Sequence, residues 1–432
     1  MTSNDIPASW LILDFNEIFS QVSTSGKKVK SADVLTEGRF PVVDQGRSFI
    51  SGYLDDANLV VSENKPLIIF GDHTREIKWI DFPFIPGADG VQILKPHPEM
   101  DTRFLYYFLR NLPIESRGYA RHFKIVKDAA YLVPPLAEQT RIAAKLDELL
   151  AQVDTLKACI DGIPSLLKRF RQSVLAAAVS GRLTDEWRGA VRENSDGQGF
   201  SYPVRRLGVI ARFIDYRGKT PEKVDSGIPL ITAKNIKSGY ISRVPREFIR
   251  PEAYESWMTR GIPKVGDVLI TTEAPLGNVA VIDITEKFAL AQRAICLQFH
   301  EGYSSSFAAI TLQSSLLQEE LARRSTGTTV KGIKASVLKE IGLPAPSIDE
   351  QNEIVHRVEQ LFAYAEQLET KVSEAKKRID HLAQSILAKA FKGDLVPQDP
   401  NDEPADVLLE RIKAQRTAAP KAKRSRQSAT TD

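Results

Sequence analysis

The chain has 432 residues, enough for two or three domains with ordinary hydrophobic cores, and a net charge of +3 that does not by itself mark a nucleic-acid binder. Its only cysteines, Cys159 and Cys296, exclude a disulfide framework and a cysteine-rich zinc site. No apolar run approaches the roughly 18 residues of a membrane span, and MTSNDIPASW lacks the basic-then-apolar pattern of a secretory leader, so a cytoplasmic location is expected.

Residues 1–133 read as a first globular domain of short apolar runs separated by Gly, Pro, Asn and Asp. It carries 15 Lys/Arg against 17 Asp/Glu. Phe40 to Val43 predicts a strand and Gly52-Tyr53 a turn. PLIIFGD (Pro66 to Asp72) predicts a strand ending in a loop, and GVQIL (Gly90 to Leu94) another strand. TRFLYYFLRN (Thr102 to Asn111) has helical periodicity. From Arg103 to Lys127 six basic residues stand against the single acid Glu115, a patch of the kind that attracts a phosphate backbone. Asp72 with Glu76-Ile77-Lys78 weakly matches a nuclease Asp…Glu-x-Lys pattern and reads better as surface charge after a strand.

Residues 134–184 follow as a long helix. Pro134-Pro135 lead into it, and apolar residues recur at alternating steps of four and three: Ile142, Leu146, Leu149, Val153, Leu156, Ile160, Ile163, Leu167 and Phe170. That 3.5-residue repeat specifies a coiled-coil seam. Gly162-Ile163-Pro164 predicts a kink or break, because proline lacks the amide donor and crowds the previous turn. Gly181 sits where a helix end takes a left-handed residue.

A linker, 185–199, leads to a second globular domain, 200–343, with 20 Lys/Arg against 14 Asp/Glu. Ile228 to Ile231 predicts a strand that turns through Ser238-Gly239. GDVLITT and VAVID predict a hairpin around Pro-Leu-Gly-Asn, Ala294 to Phe299 a strand, and Ser304 to Arg324 a helix. Residues 344–396 repeat the first long helix. Pro134 to Thr184 aligns without a gap on Pro346 to Val396, Glu138-Gln139 falling on Glu350-Gln351. The second seam is Ile354, Val358, Leu361, Leu368, Val372, Ile379, Leu382 and Ile386. Asp349 is the expected N-cap, and Gly393 matches Gly181. The segment 397–432 ends, from Thr417, in a basic polar tail expected to be disordered.

A stripe one or two residues wide cannot bury itself, so each helix needs a partner, and the simplest is the other copy. The expected fold class is therefore α+β: two similar globular domains, each followed by a long helix, the two helices pairing as an antiparallel coiled coil. Periodicity alone leaves a dimerising or scaffolding role open.

IPLITAKNIKSGYI (Ile228 to Ile241), GDVLITTEAPLGNVAVID (Gly266 to Asp283) and the proline-rich starts PPLAEQ and PAPSIDEQ, in this order and twice over, resemble the specificity subunit of type I restriction–modification enzymes. The resemblance covers almost the whole chain, with PLIIFGDHTREIKWIDFPFIPGADGVQIL a divergent version in the first half. It implies two target-recognition domains, each reading one half of a bipartite double-stranded DNA sequence. It also implies a helix pair that sets the half-site spacing and docks two modification (methyltransferase) subunits, joined in some assemblies by restriction subunits, in a system of defence against foreign DNA. S-adenosylmethionine, ATP and magnesium belong, on this resemblance, to the partner subunits and none to this chain. The sequence holds no Asn-Pro-Pro-aromatic motif, no glycine-rich S-adenosylmethionine loop and no Walker A loop, and its six histidines lack metal-ligand spacing. Those absences weigh against a self-sufficient DNA-modifying enzyme. The basic second domain and the duplicated domains weigh against a bare coiled-coil scaffold.

Base edges are read chiefly by Arg, Asn and Gln, and phosphates are positioned by Lys, Thr and Ser. Candidate DNA contacts in the first domain are Lys27, Lys28, Lys30, Gln45, Arg47, Arg75, Arg121 and Lys124. In the second they are Arg217, Lys219, Lys234, Asn235, Lys237, Arg293, Thr328, Thr329 and Lys331.

Overall fold

Each half of the chain lays down a similar succession of elements, the second half with two further short helices. A computed structural model describes residues 6–87, 90–115, 118, 120–189, 202–216, 220–291, 293–327 and 330–418. The first half runs β1 (Leu11–Leu13), α1 (Phe15–Ile18), β2 (Phe19–Val22), β3 (Phe40–Val43), β4 (Gly52–Leu54), β5 (Leu67–Gly71), β6 (Ile77–Ile80), β7 (Ile85–Pro86), β8 (Val91–Pro96), α2 (Thr102–Asn111), α3 (Phe123–Lys127), β9 (Tyr131–Val133) and the long α4 (Leu136–Val179). The second runs β10 (Val204–Arg206), α5 (Leu207–Ile210), β11 (Ala211–Asp215), β12 (Ile228–Ile231), β13 (Phe248–Ile249), α6 (Tyr254–Trp257), β14 (Val268–Thr272), β15 (Leu276–Val281), β16 (Ala289–Leu290), β17 (Ala294–Phe299), α7 (Ser305–Gln313), α8 (Ser315–Arg324), α9 (Ala335–Lys339), β18 (Gly342–Pro344) and the long α10 (Ile348–Ala390), then α11 (Ala405–Ala418).

The sheets repeat as well. Four antiparallel strands order β2-β8-β5-β6 in the first half and β11-β17-β14-β15 in the second. Three strands order β4-β3-β7 and β13-β12-β16, each with one antiparallel and one parallel pairing. The ladders β1-β9 and β10-β18 close the two domains. Equivalent elements drift in offset, from Phe40/Ile228 to Thr102/Ser305 to Phe123/Ala335, and the last step is the ten-residue α8, which has no counterpart among the described residues of the first half.

The chain divides into two units, 1–160 with 375–432 and 161–374, so both long helices are shared out between them. In the first unit Phe104 and Phe108 of α2 pack around Phe391, just past α10, one tilted and one edge-on, with ring centroids 5.5 and 5.2 Å away. Ile142, Leu146, Leu150 and Val153 of α4 join the same core as Ile386, Leu387 and Ala390. Pairing is antiparallel: Arg141 meets Asp402 and, further along α4, Lys157 meets Asp380. In the second unit Arg171 meets Glu369, and Arg357 Nη1 donates to the Leu183 carbonyl. There Val174, Leu175 and Ala178 pack with Ile354 and Val358.

Most of the expected seam is buried or half-buried, including Leu149, Ile160, Leu167, Phe170, Leu361, Leu368, Val372 and Ile379. Two seam residues are corrected: Leu156 is 50% and Leu382 45% exposed. Leu150 and Leu387, outside the heptad stripe, are buried instead, because the helix ends also pack on their globular domain. Of the kink or break expected at Gly162-Ile163-Pro164, the break does not occur: α4 runs through Pro164, with the Ser165 hydroxyl donating to the Gly162 carbonyl at 2.8 Å.

Other expectations are refined. The α10 cap is Ser347, whose Oγ accepts from Glu350 N at 3.3 Å, not Asp349, which lies inside the first turn. The helix expected over 304–324 is two, because Ser314 ends α7 in extended geometry and caps α8. Gly52-Tyr53 belongs to β4, and the hairpin turn is Glu273–Pro275, with the expected Leu276-Gly277-Asn278 already in β15. Gly181 and Gly393 are left-handed, with φ of 80° and 83°. Linker residues 190–199 and the tail beyond 418 lie outside the described residues.

α11 was not foreseen. Leu408 and Ile412, one turn apart, are buried in the first unit's core. Burying two such side chains is worth about 3–6 kcal/mol, enough to hold a helix whose 14 residues would be marginal alone.

The repeated Glu-Gln pair ties each unit together. Gln139 Nε2 donates to the Pro134 carbonyl (2.9 Å), and its Oε1 accepts from Asp101 N (3.0 Å), the N-cap of α2. Gln351 repeats this with the Pro346 carbonyl (2.9 Å) and Ser304 N (2.7 Å), the N-cap of α7. The neighbouring carboxylates are buried too. Glu138 accepts from Trp10 Nε1 (3.1 Å) and Gln398 Nε2 (2.5 Å). Burial raises its pKa, opposed by those two bonds. Glu350 accepts from Thr184 Oγ1 (2.8 Å), the Tyr202 hydroxyl (2.6 Å) and Arg188 Nη1. Burial and the Glu350 bond push the Tyr202 phenol up to about 12.

Removing one partner of a buried ion pair strands the other, typically at about 3–5 kcal/mol. Glu350→Ala should therefore cost the first turns of α10 about 3 kcal/mol of hydrogen–deuterium exchange protection, and Glu350→Gln, which keeps an acceptor, about half of that.

Candidate nucleic-acid interface

In each domain the loops at one end of the four-stranded sheet are bonded to one another. In the first unit these are residues 44–51 after β3, 72–76 after β5, and, before α3, 112–115 with 120–122. Thr74 Oγ1 donates to the Gln45 carbonyl (2.5 Å), and His73 N donates to Gln45 Oε1 (3.1 Å). A side chain at Gly71 would strike Thr74 Oγ1 at 2.2 Å, so glycine is required where the first two loops touch. Asp72 joins the third loop: Phe123 N donates to its carboxylate (2.8 Å) and His122 N to its carbonyl (2.9 Å). Arg75, at a left-handed φ of 65°, donates from Nη1 to the Ile114 carbonyl (3.0 Å).

Buried Lys78 on β6 holds the first of these loops. Its ammonium donates to the carbonyls of Asp44 (2.8 Å) and Ser48 (2.6 Å) and lies 3.7 Å from the Asp44 carboxylate. Burial lowers its pKa, against the pull of Asp44 and Glu76. Asp72 and Lys78 are therefore internal braces of the loops, not the surface charges their pattern suggested, and they do not form a nuclease-type cluster.

Arg47 protrudes from this surface with its side chain 96% exposed, 3.9 Å from Glu76. Arg75 and Arg121 are exposed on the adjoining loops and Lys124 on the first turn of α3, while Gln45 is half-buried with its amide oxygen engaged. The segment holding Lys27, Lys28 and Lys30 reaches the same end, where Val29 N bonds the Pro86 carbonyl. Lys28 and Lys30 are exposed, and Lys27 is tied to the Val60 carbonyl at 2.7 Å.

The second unit repeats the plan with other side chains. Thr272 N donates to the Arg293 carbonyl (2.8 Å), as Asp72 N does to the Gly90 carbonyl (2.7 Å). Arg293, left-handed at φ 60°, pairs with Glu273 at 3.0 Å. Glu273 bridges to Gly332, which bonds Thr326 in both directions at 2.9 Å, so Arg293 and exposed Lys331 share one surface. The loop after β12 attaches through Asn278 Nδ2 to the Ile236 carbonyl (2.9 Å) and Gly239 N to the Val279 carbonyl (2.8 Å).

On that loop Lys234 is exposed and 3.4 Å from Glu247. Burial works to raise the Glu247 pKa, but Lys223 and Lys234 outweigh it and hold the carboxyl below its ordinary range. Lys237 is half-buried. The expectation for Asn235 is corrected. It is 1% exposed and its amide is spent on its own loop, Oδ1 accepting from Thr232 N (3.1 Å) and Nδ2 donating to the carbonyls of Ser242 (3.1 Å) and Pro245 (2.9 Å). It shapes the loop and cannot reach a base. Arg217, Lys219, Thr328 and Thr329 lie outside the described residues.

Sequence reasoning missed the braces Lys78, Asp72 and Thr74. One signal was available: in Ile77–Ile80 the inward positions are Lys78 and Ile80, so alternation puts a cation on the buried face. Among the described residues no group of three or more His, Cys, Asp or Glu could hold a metal ion, and no helix is long and apolar enough to cross a membrane.

Comparison with known proteins agrees with this architecture. The family profile "Type I restriction modification DNA specificity domain" matches residues 213–376. The specificity subunit of the type I restriction enzyme EcoBI of Escherichia coli is 33% identical, over 88% of this chain and 85% of the relative. That of EcoKI from Escherichia coli strain K12 is 28% identical over 99% of both. Among solved structures, the HsdS subunit of Thermoanaerobacter tengcongensis superposes with a TM-score of 0.53 at 18% identity, covering 90% of this chain and 98% of that one. A chain from a type I R-M system, solved for its complex assembly and conformational transition, gives 0.63 at 17% identity, covering 90% and 99%. The duplicated domain-plus-helix plan and the identity to these subunits along most of the chain place the protein in the family of type I restriction–modification specificity subunits, which recognise DNA sequence.

Proposed function

We propose that each unit reads one half of a bipartite DNA target through its joined loops, and that the helix pair fixes the distance between the half-sites. The observation that carries this reading is the repeated loop architecture with unlike side chains. Arg47, Arg75, Arg121 and Lys124 protrude in the first unit, and Lys234, Arg293 and Lys331 in the second. One scaffold presenting two different sets of donors is suited to two different sequences. Asn235 and Gln45 act as loop braces in this reading, and Lys27 spends its ammonium on the Val60 carbonyl.

The helices suit a ruler. At about 1.5 Å per residue, a helix of 44 residues spans about 65 Å, more than one turn of DNA. Leu156 and Leu382 in the first unit, and Leu166 and Tyr364 in the second, leave apolar surface on the helix pair. That surface fits docking of two modification subunits, with restriction subunits joining them. This chain is then the non-catalytic, cytoplasmic reader of the complex. S-adenosylmethionine, ATP and magnesium act on the partner subunits.

Two experiments test the reading. Lys331→Ala, at a phosphate-type contact, should weaken binding to all sequences alike and reduce the slope of log affinity against log salt by about 0.9, whereas Arg47→Ala should cost about 1–3 kcal/mol at one half-site only. Inserting one heptad into both long helices at matched positions lengthens the pair by about 10 Å. The half-sites selected from random duplexes should then move apart by about three base pairs; an unchanged spacing contradicts the ruler.

A further inference from the structure

Lys78 is an unusual residue for its position. It sits at an inward-facing register of a four-stranded sheet with 5% of its surface exposed, where an ammonium is costly unless its donors are satisfied. The carbonyls of Asp44 and Ser48 accept two of those donors and the Asp44 carboxylate, 3.7 Å away, balances the charge; all three belong to the loop after β3. Two bonds to carbonyls four residues apart close the loop into a ring around the ammonium.

The second unit supplies an internal control. Asp72, just past β5, and Thr272, the last residue of β14, make the same bond, to the carbonyls of Gly90 and Arg293. Three residues earlier, Ile69 pairs with Lys78 and Leu269 pairs with Ala280. The position of Lys78 is thus held by a fully buried alanine in the second unit, whose sheet is complete without a cation there. The second unit's loop after β12 is braced instead from within, by the Asn235 amide. Each reading loop has its own brace, and the brace in the first unit is specific to residues 44–50.

We propose that Lys78 is a positioning residue for sequence recognition: it touches no DNA itself, but fixes the loop that carries Arg47 and so sets base preference at the half-site read by the first unit. The proposal rests on the reading of one half-site per unit given above. Without the ammonium, the Asp44 and Ser48 carbonyls lose their common donor and Arg47 its fixed origin. The sheet keeps its packing because an apolar residue suffices at this register.

The test is selection from fully randomised duplexes by the full-length chain, in the assembly it forms with its co-encoded subunits, comparing wild type, Lys78→Met and Arg47→Ala. Methionine retains the length of the apolar stem and removes the charge. Lys78→Met should lower base discrimination at one half-site by about tenfold or more and leave the other half-site as in wild type. A merely structural defect would reduce the amount of active protein without changing the balance between half-sites. Unchanged preference at both half-sites, or an equal loss at both, overturns the proposal. Arg47→Ala separates the two claims. If it relaxes one half-site while Lys78→Met does not, Lys78 is no positioning residue although the reading stands; if Arg47→Ala relaxes neither, the assignment of this loop to base reading falls.

Discussion

The two buried Glu-Gln pairs are the constraint on which the rest of the structure depends. In each unit the glutamine amide fastens the start of a long helix to the N-cap of the domain helix, so the globular part and the spacer cannot turn independently there. The glutamate beside it accepts from the segment that follows the other long helix, Gln398 in the first unit and Thr184 with Arg188 in the second. Two adjacent side chains thereby join a domain, a helix start and a helix end. An amide used from both sides inside a protein is expensive to replace, since each abandoned partner is left unsatisfied.

From that junction the logic runs outward to the loops. The domain helices α2 and α7 pack on the four-stranded sheets, and loops from both the four-stranded and the three-stranded sheets carry the exposed basic side chains. Polar groups in the loops and on the strands beside them are spent on bracing the loops: Lys78 and Gln45 in the first unit, Asn235 and Thr272 in the second. What projects is mostly arginine and lysine. A rigid loop lets a protruding arginine discriminate between bases, because the ordering cost is met before binding.

Much of this was legible from sequence because it is periodic or duplicated. The heptads of α4 and α10, α2 from Thr102 to Asn111 and the central strands follow from spacing, and the gapless match of Glu138-Gln139 to Glu350-Gln351 pointed to the junction. Elements set by tertiary packing were not legible. α11 depends on Leu408 and Ile412 finding a core built by distant residues. Leu156 and Leu382 have the phase of a seam yet remain exposed, while Leu150 and Leu387 are buried from a side that heptads do not encode. Asn235 had the chemistry of a base reader, and only its burial shows that the amide is occupied. Composition alone cannot separate a side chain that contacts DNA from one that shapes the loop contacting it.

The central claim is that one chain carries two separate reading surfaces held at a fixed spacing. Hydroxyl-radical footprinting of the assembled complex on its own target tests it most directly. The account predicts two protected patches, each several base pairs long, separated by a less protected spacer whose length is the same on every target bound. A single continuous patch, or two patches whose separation varies from target to target, would contradict it.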